Sequence, residues 1–427
     1  MGGGWAAPVR KGQTDAAWGD GTVSGAARLS YRGLLATPGL APLLAAASLS
    51  RLGGRMFGLA STLFALPWFH SATIAGWVAF AGLMPGLLAS PLAGALLGRI
   101  GCVAAFRLDS AATAILVGTL AGVSLVPATG VTVILSLVAL ISLATSLGWP
   151  AVRTLLPGLS APAAWDRANA LDSATTAVID VVGPALAGLT SGLIGPGAAL
   201  IFVAVCYGAA LIPIARLPPR RPAETPRPSL ARDAWGGIAA IARLPTLRAL
   251  AGAYSLYQVS WGILVVAVPV MAERSFAAGA ADIATGVGWG IVGLAGGAAA
   301  LLAGHLRVMG RERAILRIGM AAAALTFGIM AIRPGAIAGT AGLLLFGIAS
   351  GPIDVVLLTL RQRRTPPEVL ARVIAVSMSL NLAGLPLGAA LAGMTIGWSL
   401  PGTLLLAGAF ASGGAAVARR IPIADRP

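Results

Sequence analysis

The sequence predicts an all-α integral membrane protein with twelve transmembrane helices in two pseudo-symmetric six-helix bundles. Three observations support this fold class: the composition, a series of apolar segments, and a repeat between the two halves of the chain. The chain has 427 residues, of which 57% are hydrophobic and 10% are charged. Soluble domains contain about 25% charged residues. A lipid bilayer is therefore the solvent that suits this chain.

Apolar segments of roughly twenty residues recur along the chain, and each is long enough to cross the hydrocarbon core of a bilayer. The twelve predicted spans are 41–67, 74–98, 103–126, 131–152, 170–194, 197–216, 248–271, 283–303, 314–332, 337–359, 372–395 and 399–418. Several connections on one side of the membrane, the side opposite the termini, are little more than turns. They leave no room for a catalytic domain on that side.

A repeat relates the two halves of the chain. Residues 361–393 match residues 156–188 at an offset of about 205 positions. Both copies contain the tripeptide Leu-Ala-Gly, at 186–188 and at 391–393. The repeat predicts two similar helical bundles that face each other, an arrangement in which secondary transporters place their ligand site between the bundles.

Arginine residues indicate the orientation of the spans. They cluster before the first span, in the central connection and after the last span, whereas the opposite side carries only Arg274 and Arg333. The positive-inside rule then places both termini and the central connection in the cytoplasm. The net charge of +16 is explained by this orientation, so we expect no nucleic-acid partner.

The central connection is the predicted domain boundary. Residues 217–229 are rich in Pro and Arg and should form an extended linker. Residues 230–243 are either a short amphipathic helix on the inner membrane face or an ordinary lead-in to the seventh span. The predicted organisation is a cytoplasmic segment at 1–40, a bundle at 41–216, the linker region at 217–247, a second bundle at 248–418 and a cytoplasmic tail at 419–427.

Four local motifs carry a resemblance to a known family. They are Leu-Ser-Arg-Leu-Gly at 49–53, Trp-Pro-Ala-Val-Arg at 149–153, Arg-Ala-Asn-Ala-Leu at 167–171 and Arg-Gln-Arg-Arg-Thr-Pro-Pro at 361–367. With the two six-span halves, these motifs resemble the major facilitator superfamily, most closely its bacterial drug- and siderophore-exporter-like members. The resemblance implies a protein of the bacterial inner membrane in which spans one, four, seven and ten line a central cavity.

The connection between spans two and three partly matches a loop motif of that family. Gly94, Arg99 and Gly101 match, but the acidic position of the motif is Gly98. In the family, this loop is thought to hold the two bundles together through charge contacts, so the resemblance implies a weakened contact here. The alternative is that these residues simply form a tight, positively charged turn.

The fifth span contains a second family-like motif. The segment from Gly183 and Pro184 to Gly188 resembles the antiporter signature of the family. Physically, Pro184 removes a helix hydrogen bond and Gly183 allows a neighbouring helix to approach closely. The resemblance to the antiporter signature implies export rather than import. The alternative is a packing bend with no meaning for direction.

Charged residues inside the spans are the main candidates for function, because each costs at least roughly 2–3 kcal/mol in hydrocarbon. Arg51 and Arg55 are four residues apart and share a face of span one. Asp354 lies in span ten. We expect these three residues to bind substrate, to couple transport to a proton or to bridge the two halves, with an Asp354–Arg51 pair favoured over Asp354–Arg55. The alternative is a fixed packing pair.

Asp180 is the second candidate for proton coupling, because it lies near the middle of span five, one turn before the proline. The alternative is a hydrogen bond to a neighbouring helix. Asp109 and Asp172 are expected to be structural, with Asp109 paired to Arg153 or Arg167 near the inner surface.

Aromatic and amide side chains suggest a substrate surface. Tyr254, Tyr257, Gln258 and Trp261 follow the spacing i, i+3, i+4, i+7 and share one face of span seven. With Trp149 on span four, they would suit a partly apolar ligand. Packing between helices is the alternative.

Together these features predict proton-coupled efflux of a small amphiphilic molecule by alternating access. A nutrient importer or facilitator, and a non-transporting membrane scaffold or sensor, remain as alternatives. We expect a monomer whose partners are the bilayer, the substrate and a proton. The sequence offers no nucleophile with a base, phosphate-binding loop or metal-ligand spacing, so we predict a protein that is not an enzyme and has no cofactor or metal.

Overall fold

The computed structural model describes residues 31–123, 125–126, 129–159, 165–217, 239, 241–305, 310–332, 334–365, 377 and 380–422. This part of the chain contains fifteen α-helices. They are α1 (Tyr31–Leu35), α2 (Leu40–Phe69), α3 (Ala72–Ala81), α4 (Met84–Ile100), α5 (Cys102–Val123), α6 (Val131–Ala144), α7 (Gly148–Leu159), α8 (Trp165–Leu193), α9 (Pro196–Ala215), α10 (Pro245–Ser275), α11 (Ala278–His305), α12 (Glu312–Ile332), α13 (Ala336–Arg363), α14 (Gly384–Thr395) and α15 (Leu400–Ala418).

The helices agree with the predicted spans. Ten helical stretches among the described residues are long and apolar enough to cross a membrane. The first predicted span is α2, which is 30 residues long. The eleventh is the shorter apolar stretch Leu380–Thr395. The prediction of a twelve-span, all-α membrane fold is therefore confirmed.

Spans two and four are each broken into two helices, which the sequence analysis did not predict. Helix starts inside a membrane need partners for their free N–H groups, because lipid offers none. Here a neighbouring helix supplies one such partner at each break. The Gly86 N–H, at the start of α4, donates to Ser142 Oγ at 2.9 Å. The Gly148 N–H, at the start of α7, donates to Asp109 Oδ1 at 2.8 Å.

The expected ion pair between Asp109 and Arg153 is therefore wrong. Asp109 is 2% exposed, and its carboxylate accepts from the backbone of α7. A negative charge at a helix N-terminus is favoured by the free N–H groups and the helix dipole. The guanidinium of Arg153 instead lies over the Trp149 ring. The side chain of Arg167 lies outside the described residues.

The helices form two bundles, α2–α9 and α10–α15, that touch each other mainly through two helix pairs. These are the α3–α14 interface and the α8–α11 interface. Both lie toward the end of the molecule that carries few arginines, which we call the closed end; the other is the arginine-rich end. Helices α4 and α7, at the arginine-rich ends of spans two and four, pack mainly within their own bundle.

Glycines bring the backbones into contact at both interfaces. A Cβ atom on Gly188 of α8 would lie 2.6 Å from the Cα of Gly286 in α11. A Cβ atom on Gly76 of α3 would lie 2.7 Å from the Cα of Gly393 in α14. Only residues without side chains allow such an approach. Gly188 and Gly393 are the equivalent glycines of the sequence repeat, so the repeat places one glycine at each interface.

Several predicted features lie wholly or largely outside the described residues. They are most of the segment 1–40, the linker 217–229, most of the amphipathic stretch 230–243 and the end of the tail at 423–427. The domain boundaries in these regions stay predictions.

Candidate functional site

Two arginine–aspartate pairs join α2 to α8. Arg51 forms a two-pronged contact with Asp172, with Nη1–Oδ1 at 2.5 Å and Nη2–Oδ2 at 3.2 Å. Arg51 Nη1 also donates to Thr176 Oγ1 at 3.0 Å. The side chains of Arg51 and Asp172 are 12% and 2% exposed. Because the pair is closed off within one bundle, its evident role is to hold α2 against α8.

This geometry corrects the expected pairing between Arg51 and Asp354. The aspartate that pairs with Arg51 comes from span five rather than span ten, so the pair lies within one half of the chain and does not bridge the halves. The expectation that Asp172 is structural agrees with its burial in this contact.

The second pair is open to its surroundings. Arg55 Nε donates to Asp180 Oδ1 at 2.6 Å, and the two side chains are 56% and 44% exposed. Arg55 is one turn beyond Arg51 on α2, and Asp180 is two turns beyond Asp172 on α8, so the two contacts form a ladder along the helix pair. The Arg55–Asp180 pair is the exposed one, and it brings together two of the residues that the sequence singled out.

Asp354 is exposed on α13, in the other bundle. The Tyr254 hydroxyl donates to Asp354 Oδ1 at 2.7 Å. Among the described side chains, no arginine, lysine or histidine lies within ion-pair distance of Asp354. It is therefore a charged group of a membrane span that is held by a neutral donor.

The aromatic face of α10 is only partly open. Tyr254 and Trp261 are half-buried, but Tyr257 and Gln258 are 0% and 7% exposed. Tyr257 packs against Phe346, with ring centroids 6.0 Å apart. The prediction that all four residues line a substrate surface is therefore wrong for Tyr257 and Gln258 in this conformation. The shared face of the helix points into its own bundle, where large side chains are needed as core.

Trp261 continues the aromatic cluster. It stacks on Trp289 of α11 at 5.7 Å and meets the edge of Phe346 at 5.0 Å. Trp289 is half-buried and was not singled out by the sequence analysis. No pattern within one helix could identify Trp289, because Trp261 and Trp289 become neighbours only when α10 and α11 pack.

Trp149 is 54% exposed at the start of α7. The guanidinium of Arg153, one turn further along, lies 5.0 Å from the centroid of the Trp149 ring. This cation–π contact presents an aromatic surface and a positive charge together.

The residues of the family-like loop lie around the junction of α4 and α5. Gly94 is within α4, and Arg99 is exposed near its end. Gly101 joins the helices with φ 85°, a left-handed value that favours glycine. In the second half, Arg363 at the end of α13 lies 3.6 Å from Glu312 at the start of α12. That charge contact stays within the second bundle.

The motif in span five touches both bundles. A Cβ atom on Gly183 would lie 2.6 Å from Arg55 Cβ, so this glycine lets α2 approach α8. Pro184 lies within α8, and its carbonyl oxygen would be 3.0 Å from a Cβ on Gly286 of the other bundle. With Gly188 at the α8–α11 interface, the motif joins helix packing within a bundle to contact between bundles.

Two hydrogen bonds across the interfaces were missed by the sequence analysis. Ser191 Oγ donates to Asp282 Oδ2 at 2.5 Å across the α8–α11 interface. Thr73 Oγ1 donates to the Gly393 carbonyl oxygen at 2.7 Å across the α3–α14 interface. Asp282 fell one residue before predicted span eight, and its partner is 91 positions away. No local pattern could link them.

Comparison with known proteins agrees with this geometry. The family model of the Major Facilitator Superfamily matches residues 43–389 of this chain. An uncharacterized MFS-type transporter, y4rN of Sinorhizobium fredii, is 48% identical over 89% of this chain and 94% of its own length. The multidrug efflux pump Tap of Mycobacterium tuberculosis (strain H37Rv) is 28% identical over 78% of this chain and 82% of its own length. The crystal structure of the nucleoside transporter NupG (D323A mutant) has a TM-score of 0.72 at 13% identity, covering 89% of this chain and 99% of that one, and so shares its fold. The chain belongs to the Major Facilitator Superfamily and is a multi-pass membrane transporter rather than an enzyme.

Proposed function

We propose that this transporter exports a small amphiphilic molecule from the bacterial cytoplasm by alternating access, driven by protons. One observation carries the proposal. The two bundles touch at the closed end, whereas Arg55, Asp180 and Asp354 remain exposed although they belong to membrane spans. Charged groups within a membrane face a cavity or each other. These three suit a site that is reached from the arginine-rich end.

The direction in which this site opens follows from the arginines. By the positive-inside rule, the arginine-rich end faces the cytoplasm and both termini lie there. The conformation would then be the one that accepts a molecule from inside the cell. The span-five motif and the similarity to a multidrug efflux pump favour export over uptake.

The chemistry of the exposed groups favours an amphiphile. Asp354 and the Arg55–Asp180 pair offer charge, while Trp149 and the half-buried Tyr254 and Trp261 offer aromatic surface. Sites for small molecules combine mostly apolar walls with a few placed polar groups. Ligands with a charged or polar head and an apolar body would use both.

Asp354 is the first candidate for the coupled proton. A carboxylate without a cationic partner can gain or lose a proton without breaking an ion pair, and Tyr254 can follow either form as a hydrogen-bond donor or acceptor. Asp180 is the second candidate, because its contact with Arg55 must separate before it can take up a proton.

Transport into inverted membrane vesicles tests the proposal. With an imposed inside-acidic proton gradient, vesicles that contain the protein should accumulate ethidium, a fluorescent amphiphilic cation, and a protonophore should release it. Asp354→Asn should lower the gradient-driven rate at least about tenfold, equivalent to roughly 1.4 kcal/mol. Tyr254→Phe, which keeps the carboxylate, should retain gradient dependence.

The same assay separates the alternatives. Accumulation of ethidium in right-side-out vesicles under an inward proton gradient would indicate uptake. Wild-type rates in both Asp354→Asn and Asp180→Asn would overturn the assignment of proton coupling to these carboxylates. An amphiphilic anion of similar size, run in parallel, reports which charge the site accepts.

A further inference from the structure

The two interfaces at the closed end are equivalent in backbone but differ in chemistry. Each brings a glycine of the repeat, Gly188 or Gly393, against a glycine of the opposite bundle. Among the described residues, each also has a side-chain hydrogen bond between the bundles. At the α3–α14 interface the acceptor is a backbone carbonyl oxygen, which does not titrate. At the α8–α11 interface the acceptor is the carboxylate of Asp282, which does.

Asp282 is placed where opening of the closed end would change its surroundings. It is half-buried beside Ser191, which is 3% exposed. The adjacent backbone is in close contact, because a Cβ on Gly188 would lie 2.5 Å from the Asp282 carbonyl oxygen. Separation of α8 from α11 would therefore break the Ser191 hydrogen bond and expose the carboxylate to water.

Few ionisable side chains lie on the described helices that pack around Asp282. It is the only ionisable side chain in α11 before His305, and the part of α8 beyond Asp180 contains none. The half of α13 that precedes Asp354 contains none either. At the end of α10, Glu273 is exposed and lies close enough to interact electrostatically with both Asp282 and His70. Arg274 follows Glu273 and is also exposed.

We propose that Asp282 is a proton-sensitive contact of the closed end, protonated when the α8–α11 interface is closed and ionised when it is open. Removal of a carboxylate from water disfavours its charged form, so the closed interface favours the neutral acid. The neutral acid can still accept the Ser191 hydrogen bond through its carbonyl oxygen. Acidification on the closed-end side would therefore favour the closed interface. The proposal concerns conformation and does not depend on the direction of transport.

Spin-label distances in lipid nanodiscs test this directly. Gly130 and Gly335 lie at the closed end of the two bundles, and a side chain on either would have no neighbour within 4 Å. Labels on Gly130→Cys and Gly335→Cys, in a chain that also carries Cys102→Ser and Cys206→Ala, would report the opening. From about pH 5 to about pH 8, the fraction of long distances should rise at least about threefold. In Asp282→Asn this fraction should stay low, with a smaller rise over the same pH range than in the chain that keeps Asp282.

Matched variants separate the carboxylate from simple packing. Thr73→Val removes the hydrogen bond of the equivalent interface, and Ser191→Ala removes the donor to Asp282; both should keep the pH response. Glu273→Gln should keep it as well. An unchanged pH response in Asp282→Asn, or its loss in Thr73→Val or Glu273→Gln, would overturn the proposal. Asp282→Thr gives a second carboxylate-free variant if Asp282→Asn fails to fold, which melting temperatures would show.

Discussion

At the scale of single residues, burial rather than chemical type distinguishes the two arginine–aspartate pairs. Arg51–Asp172 and Arg55–Asp180 join the same two helices, but the first pair is closed off and the second is about half exposed. Loss of one partner from a buried pair leaves a charge without compensation. Exposed pairs contribute little, because water solvates the separated charges well. The two pairs should therefore differ in how much they contribute to the stability of the protein.

Asp172→Asn should destabilise the protein by roughly 3–5 kcal/mol, because Arg51 is left buried and unpaired. Asp180→Asn should cost less than about 1 kcal/mol. Thermal unfolding of the two variants in the same detergent checks this difference, with the double variant Arg51→Met, Asp172→Leu expected to recover much of the loss. Equal melting temperatures for Asp172→Asn and Asp180→Asn would contradict this account of the ladder.

The sequence could identify these residues but could not pair them. A charge in an apolar span requires a partner or a cavity, and this rule alone marked Arg51, Arg55, Asp180 and Asp354. The partners depend on which spans become neighbours. Arg51 and Asp172 are 121 positions apart, and they meet because α2 packs on α8. The mistaken Arg51–Asp354 pair arose from residue type and depth without that packing.

At the scale of secondary-structure elements, α8 has two functions that its sequence separates along its length. Its first half holds α2 through the aspartates, and its second half contacts the opposite bundle through Gly188. Gly183 lies between them, where a Cβ would meet Arg55 Cβ at 2.6 Å. An added methyl group there would force α2 and α8 apart.

Gly183→Ala should therefore lower the free energy of unfolding. This is the opposite of what helix propensity alone would give, because alanine favours a helix over glycine by about 1 kcal/mol. Gly208→Ala in α9 is a matched control, because a Cβ there has no neighbour within 4 Å. It should leave stability unchanged or raise it by up to about 1 kcal/mol. Comparison of the two melting temperatures is the measurement, and a Gly183→Ala variant as stable as Gly208→Ala would show that this close approach is not required.

Hydropathy predicted the membrane spans but not the breaks within two of them. Twelve spans follow from apolar length, since lipid requires about twenty apolar residues per helix. The breaks at Gly82–Leu83 and at 145–147 are invisible to that criterion, because the broken segments are as apolar as intact ones. At each break, a side chain of a neighbouring helix, Ser142 or Asp109, accepts a hydrogen bond from one free N–H group.

At the scale of the whole molecule, the repeat predicts the two bundles but not the state in which they rest. Gly188 and Gly393 matched in sequence, and each contacts the opposite bundle at the closed end. The asymmetry between the interfaces, with a carboxylate at one and a backbone carbonyl at the other, could not be predicted from matched positions. It is the differences between the halves, including Asp354 and Asp282, that carry the proposed chemistry.

The closed end and the arginine-rich end should open in alternation. The double variant Gly188→Ala, Gly393→Ala should disfavour the closed end, because added methyl groups would meet the backbone of the opposite bundle within 3.0 Å at both interfaces. Spin-label distances report both ends, with one pair at residues 130 and 335 and a second pair on the exposed Arg99 and Arg311. If the two ends alternate, the 130–335 distance lengthens in this double variant while the 99–311 distance shortens. If both distances lengthen together, or if the second pair does not change while the first lengthens, the bundles do not alternate and the account is contradicted.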